Sequence, residues 1–552
     1  MVWDAFYNYL VETKGFASRP ALEGVSRGGL YVYAWAKRNP SRVSCIYGEG
    51  LVCDIKSWPG RTRRDKRNIE WAQLLQVYGF TEAEALTYDD NPYQNLEGLA
   101  SFKVPIYHAI GLHDSSVINE DNTFKLANNY VRSGGIATIH AMTRGVQSLG
   151  GHHYPIERPD LIADFIERNS YPIRPVLDCS RYHSFRDGLE NCRMTFQRSR
   201  KGIVAFLGGS ITEAPGWRDK VCKYLQELYP DTKFTFVNAG VASTGSVPGA
   251  FRLDHDVLSQ GNTDLLFVEA AVNDRTIFPG DSVLPLRGME GIIRHVRSVS
   301  PFMDVVALHF VDPDMIREFR AGTVPIEIVA HEKVAIHYGA PSINLAKEVT
   351  DRIDAGEFTW EDDFKDLHPS PFGQEIYFQS IKNFLQHAWR DTLPNGAVLR
   401  PHTLPSPIDS HSYDKGTYVS ITAATALDGW RIIDRWHPTD AAATREGFVD
   451  VSMIVVDAPG GSISLPFEGK AVGIAIAAGP DAGVIEYSVD GRPFKRRDLF
   501  TRWSGSIHLP SYVVLEDGLT SSTHTLKVRM SSDKNPSSKG HACRIVHFLV
   551  AK

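Results

Sequence analysis

The 552-residue chain contains no run of about 18 consecutive apolar residues, the length a membrane-crossing helix needs, so no membrane span is expected. It also lacks a basic surplus. Its 59 Lys and Arg face 65 Asp and Glu, for a net charge of −6. They are intermixed, without the basic stripe that phosphate backbones require, which sets nucleic acid aside as a partner. Cysteine is scarce: Cys45, Cys53, Cys179, Cys192, Cys222 and Cys543 show no CxxC spacing, so neither a zinc site nor a disulfide scaffold is indicated. Cys179 with Cys192 is the one pairing considered. The start, MVWDAFYNYLVETKG, reads as an amphipathic helix and not as a signal peptide. The location of the protein is left undetermined by this chain.

What is present fits a soluble, multidomain protein. Hydrophobic residues make up 43% and charged residues 22%, proportions at which real cores form, and the length is several times one typical domain. Residues 1–170 alternate short apolar strands (around PALEGVS, RVSCIYG, PIYHAIG and IATIHAM) with helical stretches, the rhythm of a parallel sheet. Residues 171–199 read as a connector. Residues 200–392 repeat the α/β pattern through GIVAFLGG, KFTFVNAG, TDLLFVEAAVND and DVVALHFV. From 393 to 552 the pattern turns to short alternating strands, with Asp490-Gly491 as a hairpin turn, and predicts a β-sandwich.

Acyl transfer needs an accessible nucleophile, a base within hydrogen-bond reach and donors aimed at the developing oxyanion. The 200–392 region places all three at predicted strand ends, where open α/β sheets carry their ligands. Gly208-Gly209-Ser210 ends the first strand, Asn238-Ala239-Gly240 the second, and VEAAVND the third, with Asn273 in it. Asp366-Leu367-His368-Pro369-Ser370 lies before the last helix and offers His368 as base. HEKVAIH spaces its histidines six apart, missing the shared helix face of HExxH, so no metal is implied. No cofactor is called for.

These four blocks resemble the SGNH (GDSL-like) hydrolases. The resemblance implies a flavodoxin-like three-layer domain in which Ser210 is nucleophile and oxyanion donor, Gly240 and Asn273 the other oxyanion donors, and His368 the base. The family usually places the supporting acid three residues before the histidine, where this chain has Lys365. The acid expected here is Asp366, with Asp362 and Asp363 as substitutes.

In the first region, Gly24-Val25-Ser26-Arg27-Gly28 follows a strand and precedes a helix, the G-x-S-x-G elbow of α/β-hydrolases. The resemblance implies a second triad of Ser26, Asp114 and His152, with His153 and Asp54 as rivals for base and acid. About four strands normally precede such an elbow, yet 25 residues precede Ser26. The expectation is a partial α/β-hydrolase domain, inactive or impaired by itself, with a start placed too late as the first explanation ahead of a fragment or a structural remnant. A missing start would also hide an export signal and make the protein secreted or periplasmic.

In the tail, Trp430, Trp436, Phe500 and Trp503 are candidates for stacking on sugar rings, or else sandwich core. The sandwich is read as a jelly-roll accessory domain. The chain is thus expected to be a serine esterase removing O-acyl groups, foremost O-acetyl, from a polysaccharide or oligosaccharide, its partner being the acylated carbohydrate. The alternatives are a lipase or thioesterase of the same fold, or a non-catalytic glycan-binding protein built from degenerate hydrolase domains.

Overall fold

The computed structural model describes residues 2–65, 68–142, 148–170, 177–394 and 396–552. Two compact units emerge: residues 1–176 with 355–365 and 369–375, and residues 177–354, 366–368 and 376–552.

The first unit is built on a parallel four-stranded sheet in the order β1 (Leu22–Val25), β2 (Ile46–Glu49), β3 (Ile106–Gly111), β4 (Ala137–Met142). Strand β3 is buried along its whole length, as a strand covered on both faces must be. An N-terminal helix, Val2–Asn8, seats Tyr7 against Trp35 of helix Gly28–Arg38, and Asp4 accepts from the Trp35 indole at 3.1 Å.

The second unit holds a six-stranded sheet ordered β5 (His183–Ser184), β10 (Ser342–Ile343), β9 (Asp304–Leu308), β8 (Leu265–Glu269), β6 (Lys201–Gly208), β7 (Lys233–Gly240), parallel except for β5. Along β6 the alternation of a strand sorts the side chains: Ala205 and Leu207 join the core under helices Ser246–Asp256, Val283–Val299 and Ile326–His337, while Phe206 meets Trp217 on the opposite face. The sheet changes winding direction at β6, which has β7 on one side and β8 on the other. Open α/β sheets leave a crevice at such a point, beyond the carboxyl ends of the strands. The segment read as a connector contributes β5 and helix Glu190–Ser199 to this domain, whose Cys192 N–H donates to Asp304 at 2.8 Å. A two-residue strand such as β10 carries too little alternation to be read in advance.

The C-terminal region forms two antiparallel sheets facing each other. Its strand Ala471–Ala478 is buried at every position. Val472, Ile474, Ile476 and Ala478 point into the sandwich, and Ala471, Ala475 and Ala477 into the core shared with the helices of the central domain. Small alanines let those layers approach. Arg287 of the helix Val283–Val299 reaches Asp409 at 2.7 Å and Asp517 at 2.6 Å, and the buried Glu290 accepts backbone N–H groups of Ile408 and Asp409 at 2.6 and 2.9 Å. The substitution Arg287→Ala should cost about 1–2 kcal/mol, the worth of charge-assisted hydrogen bonds in a half-buried site. The urea midpoint reports it, and the near- and far-ultraviolet dichroism of this unit should shift together.

Asp490 and Gly491 both take positive φ, 55° and 72°, as the hairpin reading required. Trp430 and Trp436 are buried, the core alternative of the two readings, Trp430 within the sandwich and Trp436 in the core shared with the central domain; Phe500 packs partly against the sandwich core, and Trp503 is exposed beneath the Arg502 guanidinium. All six cysteines are free thiols, which corrects the Cys179–Cys192 pairing. Among the described residues no helix is long and apolar enough to cross a membrane.

Candidate active site

Ser210 opens a short helix, Ser210–Glu213, at the carboxyl end of β6. Its Oγ lies 2.7 Å from Nε2 of His368, so the expected nucleophile and base are in hydrogen-bond contact. Asp366 stands differently from the expectation. Its carboxylate is 3.7 Å from Nδ1 of His368 and instead accepts the His368 backbone N–H at 3.1 Å, with both side chains more than half exposed. The two-residue spacing folds the aspartate back on its own loop, where it sets the backbone that carries the imidazole. Asp363 is engaged elsewhere, by Lys103 at 2.6 Å and the Thr359 N–H at 2.8 Å. The variant Asp366→Asn, which keeps an acceptor for the His368 N–H, should therefore lower kcat less than about tenfold, against the roughly 10⁴-fold loss seen where a buried acid holds the imidazole tautomer.

The two expected oxyanion donors flank the serine. Asn273 donates from its side-chain amide to Thr244 O at 3.1 Å, leaving a second amide hydrogen to offer. That amide lies so close to Gly209 that a β-carbon there would come within 1.9 Å of it, which explains the glycine before the nucleophile. The Gly240 N–H donates to Asn238 Oδ1 at 3.0 Å in this structure, a bond a substrate oxygen would replace.

Beneath these groups lies a polar layer that sequence reasoning did not find. Glu269, at the end of β8, is buried, and its Oε1 accepts the Gly209 N–H at 2.6 Å and the Thr212 hydroxyl at 2.9 Å. Burial pushes its carboxyl up to about 7, with the Gly209 and Thr212 bonds and the Arg252 charge pulling the other way. Arg252, fully buried, ties together the ends of β6 and β7 by donating to Gly208 O at 2.8 Å and Ala239 O at 2.6 Å, and pairs with Asp256 at 2.6 Å. Asp274 accepts the Ser246 N–H at 2.8 Å and lies 2.9 Å from His331 Nε2, which accounts for one histidine of HEKVAIH. The available signal was a charge in an otherwise apolar stretch, Glu269 in LLFVEAAV and Arg252 in GAFRL. Burying an ion costs free energy unless it is paired, so such a residue marks a built network. Glu213, three residues past the nucleophile, has its carboxyl raised by burial and held back by Arg445 of the C-terminal region, which brings that region's charge to the site. Among the described residues no His, Cys, Asp and Glu group is arranged to hold a metal ion.

Ser26, Asp114 and His152 of the first unit are also brought together: His152 Nε2 is 2.9 Å from Ser26 Oγ and its Nδ1 is 2.6 Å from Asp114. Neither rival takes part in this chain of contacts. Asp54 is paired with Lys125 at 3.0 Å, and the exposed His153 packs its ring beside that of His152.

Residues 206–376 match the model of the GDSL-like Lipase/Acylhydrolase family. In fold, the chain is similar to two crystal structures of a two-domain esterase (CEX) active on acetylated mannans, one of them co-crystallised with mannopentaose. Identity is 21% and 20% and the TM-scores are 0.54 and 0.55, over 66% of this chain and 95% and 96% of theirs. No curated protein matches the chain. The matched segment spans the serine, both expected oxyanion positions and the histidine, so the similarity to the GDSL-like lipase/acylhydrolase family lies in the central domain.

Proposed function

We propose that the Ser210 site hydrolyses O-acetyl esters on a polysaccharide or oligosaccharide. The observation that carries the reaction is the 2.7 Å contact between Ser210 Oγ and His368 Nε2. As Oγ bonds to the ester carbonyl carbon, its proton passes to Nε2. The carbonyl oxygen, now negative, is met by the Asn273 amide and the Gly240 N–H, donors that act most strongly on the charge of the transition state. His368 then protonates the departing sugar oxygen, leaving acetyl on Ser210. Water attacks next, giving its proton to the same nitrogen, which passes it to Oγ as the bond between acetyl and Ser210 breaks, and the acetic acid formed leaves as acetate.

The acetylated carbohydrate rests on the fold shared with a two-domain esterase active on acetylated mannans and on the charged surface that Arg445 and Glu213 give the site. Acetate release from acetylated mannan, compared with hydrolysis of p-nitrophenyl esters of rising chain length, tests the reading. Release from the glycan and a preference for acetyl over octanoyl are expected. Preference for the long acyl chain would instead favour a lipase.

A further inference from the structure

The geometry points to a second, independent serine hydrolase site in the first unit, with Ser26 as nucleophile, His152 as base and Asp114 as the acid that holds the base, acting on carboxylic esters. The proposal goes beyond the Ser210 reading and does not rest on it.

Three observations within this unit carry it. Ser26 sits at φ 52°, a left-handed conformation costly for a residue with a side chain. It is pinned there from both sides: its N–H donates to Glu49 O at 2.8 Å, and its carbonyl accepts from Val52 N–H at 2.9 Å and Gly29 N–H at 3.1 Å. This turn lifts the hydroxyl off the end of β1, just ahead of the 11-residue helix Gly28–Arg38.

The second observation is the completeness of the hydrogen-bond chain. His152 Nδ1 meets Asp114 Oδ2 at 2.6 Å, and the other oxygen of Asp114 accepts the Ser116 and Val117 N–H groups at 2.9 and 2.8 Å. With two backbone donors fixing one of its oxygens, the acid turns the other to the imidazole as an acceptor, so Nδ1 carries the proton and Nε2 is left to accept the one from Ser26. The His152 and Asp114 side chains are 9% and 1% exposed, against 54% and 64% for His368 and Asp366, so the first unit holds the better-sheltered pair.

Third, the room for the imidazole is built in. Gly50 takes φ +49°, and a β-carbon at that position would sit 3.2 Å from the His152 ring. A strained turn, a buried acid and a glycine shaped around the base are three separate costs with no common structural purpose at a loop edge. The sequence led to the expectation of an impaired unit; the contacts of these residues argue for a competent one. In the reaction, Ser26 Oγ bonds to the carbonyl carbon as its proton moves to His152 Nε2. That proton then goes to the departing alcohol, and water releases the acid from the acyl-serine.

The test uses the full chain carrying Ser210→Ala, with a fluorophosphonate probe. A covalent adduct mapped to Ser26 by peptide mass spectrometry is expected, absent in the Ser210→Ala, Ser26→Ala chain and formed at least tenfold more slowly with Asp114→Asn. The residual p-nitrophenyl acetate hydrolysis of the Ser210→Ala chain should fall to the uncatalysed rate when Ser26 is also replaced. In Ser26→Cys, iodoacetamide should alkylate the introduced thiol at least tenfold faster than in the same variant with His152→Ala. No adduct at Ser26 in a chain that melts as the parent does, with equal hydrolysis by the single and double variants, would overturn the proposal while leaving the Ser210 reading intact.

Discussion

Ser210→Ala, made in a Ser26→Ala background, is expected to lower kcat/KM for acetate release from acetylated mannan by about 10⁴-fold, some 5 kcal/mol of transition-state stabilisation. His368→Ala should cost about the same, and the two together no more than either, because serine and base act as a unit. KM should change little, since neither side chain contributes much to binding the ground state. The Ser26→Ala background matters because a second nucleophile would otherwise set the floor of the assay. Initial-rate kinetics on the single and double variants settle it: additive losses, or a loss below tenfold for Ser210→Ala, would remove Ser210 from the reaction.

The second large effect concerns Glu269. In the Glu269→Ala chain the Gly209 N–H and the Thr212 hydroxyl lose their acceptor in a buried place, and a cavity opens under the nucleophile turn. The expected loss is about 3 kcal/mol of stability, together with a fall in kcat as the turn before Ser210 loosens. Glu269→Gln retains an acceptor oxygen and should keep most of both, while removing a pH dependence. Because burial raises the Glu269 carboxyl from 4.5 to about 7, folding favours its protonated form. Its contribution is therefore complete below about pH 4.5 and is lost as pH rises through 7. The Arg252 charge works against that loss and the Asp274 charge adds to it. Urea titrations at pH 5 and pH 8 should show a smaller drop in stability toward pH 8 in Glu269→Gln than in the parent; equal drops would refute the account.

How far the sequence carried these conclusions depended on how local the signal was. Gly240 ends a strand, and Ser210 and Asn273 lie in the first turn of a helix just beyond one, so an apolar run followed by a polar or glycine residue was enough to place all three at one sheet edge. Ser26, Asp114 and His152 were ordered by strand position in the same way. The orientation of Asp366 was not legible, because one residue less between acid and base changes which atoms face each other, and that is decided by loop torsions. Glu269 and Arg252 were missed for a different reason. Their partners are backbone groups of neighbouring strands, and no spacing in the chain reveals which carbonyl or N–H a buried charge will meet. Trp430 and Trp436 illustrate the ambiguity of aromatics in short strands, where the same residue serves a core or a sugar platform until the pairing register is known.

The strand Ala471–Ala478, buried on both faces, has a further implication. Because its alanines belong to the interior of the central domain as much as its isoleucines belong to the sandwich, the stretch near residue 393 is a poor place to cut. An esterase ending there would expose the Val247, Phe251 and Met289 surface to water, and the freed sandwich would show a matching sticky face. Such fragments should aggregate, and heating should melt residues 177–552 in one cooperative step. In an evolutionary sense the two regions form one inheritable piece: transplanting the catalytic part to a new partner requires carrying its sandwich along.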